Sequence, residues 1–169
     1  MEILWAPWRK YYVVSASGSK SNECIFCRAT QGSDESNYVI YRGSYSLAML
    51  NKYPYNNAHV MVSPLKHVPT PELLNDEELL DLIRTVNIVL SAIRLCYNPD
   101  GFNIGANIGR AAGAGIEGHL HIHIVPRWNG DTNFMAVIAS TKVIPEGLNE
   151  TFVRLRECIN KIKIPTSSK

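Results

Sequence analysis

The apolar positions of this chain change period along its length, and the changes mark out its elements. From Tyr38 the pattern "YVIYR" breaks at Gly43-Ser44 and resumes as "YSLAML", which predicts a β-hairpin. "HVMVS" (59–63) is the next strand, ended by Pro64. A helical period then takes over. Leu79, Leu82, Ile83, Val86, Val89, Leu90, Ile93 and Tyr97 recur at steps of three and four, so a helix over 76–97 turns one stripe to a core. Asn75 followed by Glu78 is a capping-box start, and "NPDG" (98–101) stops the helix. Strands return in "FNIGAN" (102–107) and "HLHIHIVP" (119–126), separated by the glycine-rich turn "IGRAAGAGIEG". A short strand "FMAVIA" follows, then a helix from Asn149 with Phe152, Leu155, Ile159 and Ile162 on one face. The sum is an α+β fold: a mostly antiparallel sheet of about five strands, one long helix and a C-terminal helix.

Composition adds limits more than content. The chain has 169 residues, 46% hydrophobic and 19% charged, an ordinary globular balance that implies one domain with a real core. It divides into an N-terminal extension (1–37), a core (38–143) and a C-terminal helix with its tail (144–169). A formal charge of +2 is too weak to imply a nucleic-acid partner. No apolar run approaches the roughly 20 residues of a membrane span, so no membrane partner is expected. "MEILWAPWRK" lacks the regions of a signal peptide, and a cytoplasmic location is the expectation. In a reducing compartment the four cysteines read as metal ligands or core residues rather than disulfides. Cys96 and Cys158, on helical apolar faces, are expected in the core.

The chemistry concentrates in "GHLHIHIVPRW" (118–128). On a strand, alternate side chains share a face roughly 6.5 to 7 Å apart. His119, His121 and His123 therefore share one face, while Leu120, Ile122 and Ile124 share the other. Two chemistries compete for such a face. Paired imidazoles can ligate a metal, and a neutral imidazole can attack phosphorus. The glycine-rich turn just upstream favours the second, because glycines let backbone N–H groups approach an anion closely.

"HLHIHIV" fits the histidine-triad pattern, His-apolar-His-apolar-His followed by two apolar residues. The resemblance extends to "NKYPYNNAHVMVSPLKHV", "GFNIGANIGRAAGAGIEGHLHIHIVPRWNGDTNF" and the opening "LWAPWR", which look like the diadenosine-polyphosphate phosphorylase branch of that superfamily. It implies that His121 is the nucleophile, forming a nucleotidyl-histidine intermediate, with its Nδ1–H held by the backbone carbonyl of His119. It implies that His123 steadies the leaving group and that His59 is a strand histidine beside the nucleophile. Asn107 and the backbone around Gly113, Ala114, Gly115 and Ile116 match the phosphate contacts. Asn51 matches the ribose contact, and Ile25, Phe26 and Leu50 lie where the family lines its base pocket. Many triad proteins carry an amide and a hydroxyl in the loop where this chain has Ala114 and Gly115, and one residue fewer before the first histidine. Backbone donors then suffice, or an incoming inorganic phosphate uses the room.

By itself "CIFC" is open among metal ligation, redox chemistry and chance. The resemblance implies a structural zinc held by Cys24, Cys27, His67 and His119. It further implies a nucleotide substrate, diadenosine tetraphosphate above all, phosphorolysis to ADP and ATP with inorganic phosphate as acceptor, and a homodimer. Hydrolysis with water as acceptor, phosphoramidase activity, a zinc-stabilised nucleotide-binding module without turnover and a metal-dependent enzyme that ligates its ion with the triad itself remain the alternatives. Arg110 and Arg127 are candidate polyphosphate partners or plain surface charges. Trp5, Trp8 and Trp128 could serve stacking on adenine or packing.

Overall fold

The structure, a computed structural model, describes residues 23–132, 138 and 144–162. The opening "LWAPWR" and all of "FMAVIA" but Ile138 lie outside the described residues. The elements in chain order are α1 (Ile25–Gln31), α2 (Asp34–Asn37), β1 (Val39–Arg42), β2 (Ser46–Leu50), β3 (Val60–Pro64), α3 (Asp76–Tyr97), β4 (Gly101–Gly105), β5 (Ile122–Arg127) and α4 (Leu148–Lys161). Short 3-10 turns stand at Pro71–Leu73 and Arg110–Ala112.

Every strand pairs antiparallel with its neighbours in the order β1-β2-β3-β5-β4, so the α+β expectation and the five strands hold. Two-residue alternation divides the sheet into two faces. Ile40, Ala48, Leu50, Val60, Val62 and Ile124 pack against Leu82, Val86, Val89 and Ile93 of α3 and Phe152, Leu155 and Ile159 of α4. The intervening residues Val39, Leu47, Met49 and Met61 pack against Phe26 and Ala29 of α1. Met61 pairs with His123 in register, so the outer triad histidine belongs to the α1 face. Burying a Leu, Ile or Phe contributes about 1.5–3 kcal/mol, and both faces collect enough of them to fix the register.

The long helix starts as its sequence requires. The Asn75 side chain accepts from the Glu78 N–H at 2.9 Å, and the Glu78 carboxylate accepts from the Asn75 N–H at 2.8 Å. Asn98 closes the other end in the left-handed region at φ 44°. Asp81 then ties α3 to the β1–β2 turn: it accepts from the N–H groups of Ser44 and Tyr45 and from the Ser46 hydroxyl, which also bonds Thr85. A Cβ at Gly43 would stand 2.6 Å from an Asp81 oxygen, so the turn admits glycine there.

Three expectations are corrected. Ile83 is 50% exposed; the buried stripe widens on its opposite flank instead, to Thr85, whose hydroxyl is paired with Ser46. The strand expected from His119 begins at Ile122, with His119 and His121 in the segment leading into it. Cys96 and Cys158 form a disulfide between α3 and α4, their Cα atoms 6.2 Å apart, within bridging range. That pairing contradicts the reading of all four cysteines as thiols, and with it the argument from cysteine usage to a reducing compartment. Among the described residues no helix is long and apolar enough to cross a membrane.

Candidate active site and metal centre

His121 is held by its own neighbourhood in the chain. Its Nδ1–H donates to the His119 carbonyl at 2.8 Å, which leaves the Nε2 lone pair as the free nucleophilic position. The ring is 5% exposed. Burial holds its pKa below the ordinary imidazole range, outweighing the His119 carbonyl bond that pushes it up. Phe26 forms the floor, its ring 4.9 Å from the ring of His121 and 5.0 Å from that of His119.

His123 is oriented from the other side. The Tyr55 N–H donates to Nδ1 of His59 at 3.1 Å, so neutral His59 carries its proton on Nε2. That nitrogen stands 2.9 Å from Nδ1 of His123, which must then accept. His123 consequently carries its own proton on Nε2. The Tyr55 ring stacks over His59 at 4.6 Å, and the His121 and His123 rings meet edge to face at 4.9 Å. A lone pair and an N–H therefore stand side by side, the pair of functions that attack and leaving-group support require. His59 is thus joined to His123, the outer member of the triad.

The loop expected to receive phosphate runs from Asn107, which is exposed, to His119. The N–H groups of Gly113 and Ala114 already donate within the loop, to Arg110 and Gly109 carbonyls. Among the described residues those of Gly115 and Ile116 donate to nothing, so of the four only these two have donors open to an anion. The Ile116 side chain packs with Ile25 at the edge of the Phe26 cluster. Asn51 is half-buried, its side-chain oxygen accepting from the Tyr53 N–H at 2.9 Å.

The residues expected at the base pocket take different places. Phe26 is fully buried under the triad. Leu50 packs in the helix-side core, because even-numbered residues of β2 point there, and it also lines a cavity with Asn51 and His59; Met49 takes the triad side. Tyr55 gave no sequence signal, since its role rests on its backbone N–H and a stack.

Cys24 caps α1 and Cys27 lies in its first turn, a spacing that turns both thiols to one side. Cys24 Sγ is 3.3 Å from Nδ1 of His119, and Cys27 Sγ is 3.1 Å from Nδ1 of His67 and 3.7 Å from that of His119. The two Nδ1 atoms are 3.2 Å apart, and all four donor atoms lie within 4.8 Å of one another. A tetrahedral ion with bonds of about 2.0–2.3 Å needs ligand atoms roughly 3.3–3.8 Å apart. The group fits. His119 Nε2 donates to the Pro64 carbonyl at 2.9 Å, which turns the Nδ1 lone pair into the cluster. Gly118 lets the chain pass close to His67, whose Nε2 would meet an added Cβ at 3.1 Å.

Comparison with known proteins agrees with this geometry. A family model described as HIT domain matches residues 33–130. An AP-4-A phosphorylase of Mycobacterium tuberculosis is 40% identical over 157 residues, covering 89% of this chain and 80% of that protein. A hypothetical histidine triad nucleotide-binding protein from Sulfolobus tokodaii superposes with a TM-score of 0.66 at 29% identity, covering 83% of this chain and 94% of its own. A zinc-bound histidine triad family protein from Mycobacterium smegmatis gives 0.66 at 25% identity, over 83% and 96% of the two chains. The two-faced sheet, the paired imidazoles and the family model lead to one conclusion: the chain belongs to the histidine-triad (HIT) family.

Proposed function

We propose that the protein cleaves dinucleoside polyphosphates, diadenosine tetraphosphate above all, by nucleotidyl transfer to His121 and on to inorganic phosphate. The lone pair on Nε2 of His121 attacks the α-phosphorus. A P–N bond forms as the P–O bond to ATP breaks, and the Nε2–H of His123 steadies the departing oxygen. Phosphate then attacks the same phosphorus, the P–N bond breaks, ADP leaves and His121 returns neutral. Gly115 and Ile116 N–H groups receive non-bridging oxygens, and Asn107 and Asn51 take phosphate and ribose. The small side chains at Ala114 and Gly115 leave room for the incoming phosphate.

The observation that carries this reading is the 2.8 Å bond from Nδ1 of His121 to the His119 carbonyl, which selects the tautomer a nucleophile needs. The 40% identity to an AP-4-A phosphorylase supports the substrate. Zinc is the metal this reading assigns to Cys24, Cys27, His67 and His119, a thiolate and imidazole set that zinc favours. When bound it cross-links α1 to the β3 and triad segments. A homodimer is part of the reading as well, since β4 is an outer strand whose Ile104 is exposed.

Product analysis with diadenosine tetraphosphate, with and without phosphate, tests it. ADP and ATP formed only with phosphate support the reading. AMP and ATP in either condition mean hydrolysis instead, and no products at all would leave a binding module.

A further inference from the structure

The charges flanking the triad are few and unequally held. Between Asp100 and Asp131 the Lys, Arg, Asp and Glu side chains are Arg110, Glu117 and Arg127 alone. Arg127 is locked. Its Nε and one terminal nitrogen grip both oxygens of Asp131 at 2.7 and 2.9 Å, and the other terminal nitrogen donates to Asn103 at 2.9 Å. Arg110 makes one bond, Nε to Glu117 at 2.7 Å, on a side chain that is 87% exposed. Its four terminal N–H donors have no partner among the described residues.

The loop that carries this pair is fastened beside the triad. Ile116 packs against the cluster of Phe26, whose ring touches His121, and Gly118 lies against His67. Glu117 stands between these two anchored residues and draws Arg110 across the loop. An exposed ion pair is weak enough to exchange for a better anion, and a guanidinium with open terminal donors suits phosphate oxygens two at a time.

We propose that Arg110 is the residue that recognises the polyphosphate chain beyond the scissile phosphorus, giving up Glu117 for it, and so sets the preference for long polyphosphates over mononucleotides. This rests on the reading of the site as one for dinucleoside polyphosphates. Glu117 acts as a placeholder that keeps the guanidinium at the loop while the site is free.

The test measures equilibrium binding of diadenosine tetraphosphate and of AMP to the full chain carrying His121→Ala, which removes turnover. Adding Arg110→Gln is expected to weaken the tetraphosphate roughly tenfold to a hundredfold and AMP by less than about twofold, with Arg110→Lys in between. Adding Glu117→Gln is expected to leave tetraphosphate affinity intact or raise it. Equal weakening of both ligands by Arg110→Gln and Glu117→Gln would mean a loop brace and overturn the proposal. So would a tetraphosphate affinity unmoved by Arg110→Gln. If the protein with His121 intact turns over no tetraphosphate while this affinity pattern holds, the enzymatic reading fails and the assignment of Arg110 stands.

Discussion

Reducing the bridge between α3 and α4 should destabilise the protein without dismantling its site. Cys96 and Cys158 are 62 residues apart in sequence, and a cross-link over a loop of that length removes chain entropy from the unfolded state worth about 4 kcal/mol. Against a typical total of about 5–15 kcal/mol, this is a large share. The helix itself stays docked, because Phe152, Leu155 and Ile159 remain buried against α3 and the sheet. Urea unfolding with and without reductant reads the effect. With a slope of about 2 kcal/mol per molar urea, the midpoint should fall by about 2 M. Thiol titration of the unfolded, unreduced protein should count the two free cysteines, Cys24 and Cys27, and all four after reduction. A midpoint that ignores reductant, or four thiols before it is added, would refute the reasoning.

Other outcomes follow from the same geometry. His121→Ala should abolish turnover while metal analysis still finds one zinc per chain; loss of the metal would return the triad to a metal-binding role. Cys27→Ser should cut zinc affinity by at least tenfold in a competition with a chelator, and lower thermal stability, since α1 then loses its tie to His67 and one of its two ties to His119. Asn75→Ala should cost about 1 kcal/mol in denaturant unfolding and leave turnover unchanged, because the Asn75 side chain bonds only within the capping box. Gly43→Ala should cost about 1–3 kcal/mol by the same assay, as the new methyl displaces the Asp81 carboxylate from the buried Ser46 hydroxyl it satisfies.

What was legible in the sequence was local. The α3 start could be read because its cap is made by side chains three residues apart, and the triad could be read because alternation is a short-range rule. Ile83 and Thr85 went the other way: the burial of Thr85 depends on Ser46 and Asp81, and no periodicity encodes a hydroxyl's partner across the fold. The disulfide was hidden for a similar reason, since it follows from two helices meeting. The fully buried position of Phe26 follows from α1 folding back under the triad, which a cysteine pair hints at without saying which side chain lies inside. The face of the sheet that Leu50 takes is legible as well, because Ala48 and Leu50 share a parity that opposes Met49.

His119 is engaged at three atoms: Nδ1 toward the cysteine and histidine cluster, Nε2 on the Pro64 carbonyl, and its own carbonyl on His121. The first two belong to the side chain and the third to the main chain. Position 119 is therefore a hinge-pin between two devices that answer to different kinds of change. A substitution erases the anchoring ring but leaves the peptide oxygen that selects the tautomer of its neighbour. Only a shift of the backbone can disturb both, which makes the path of the chain through 119, more than the imidazole it carries, the feature that a redesigned metal centre has to preserve.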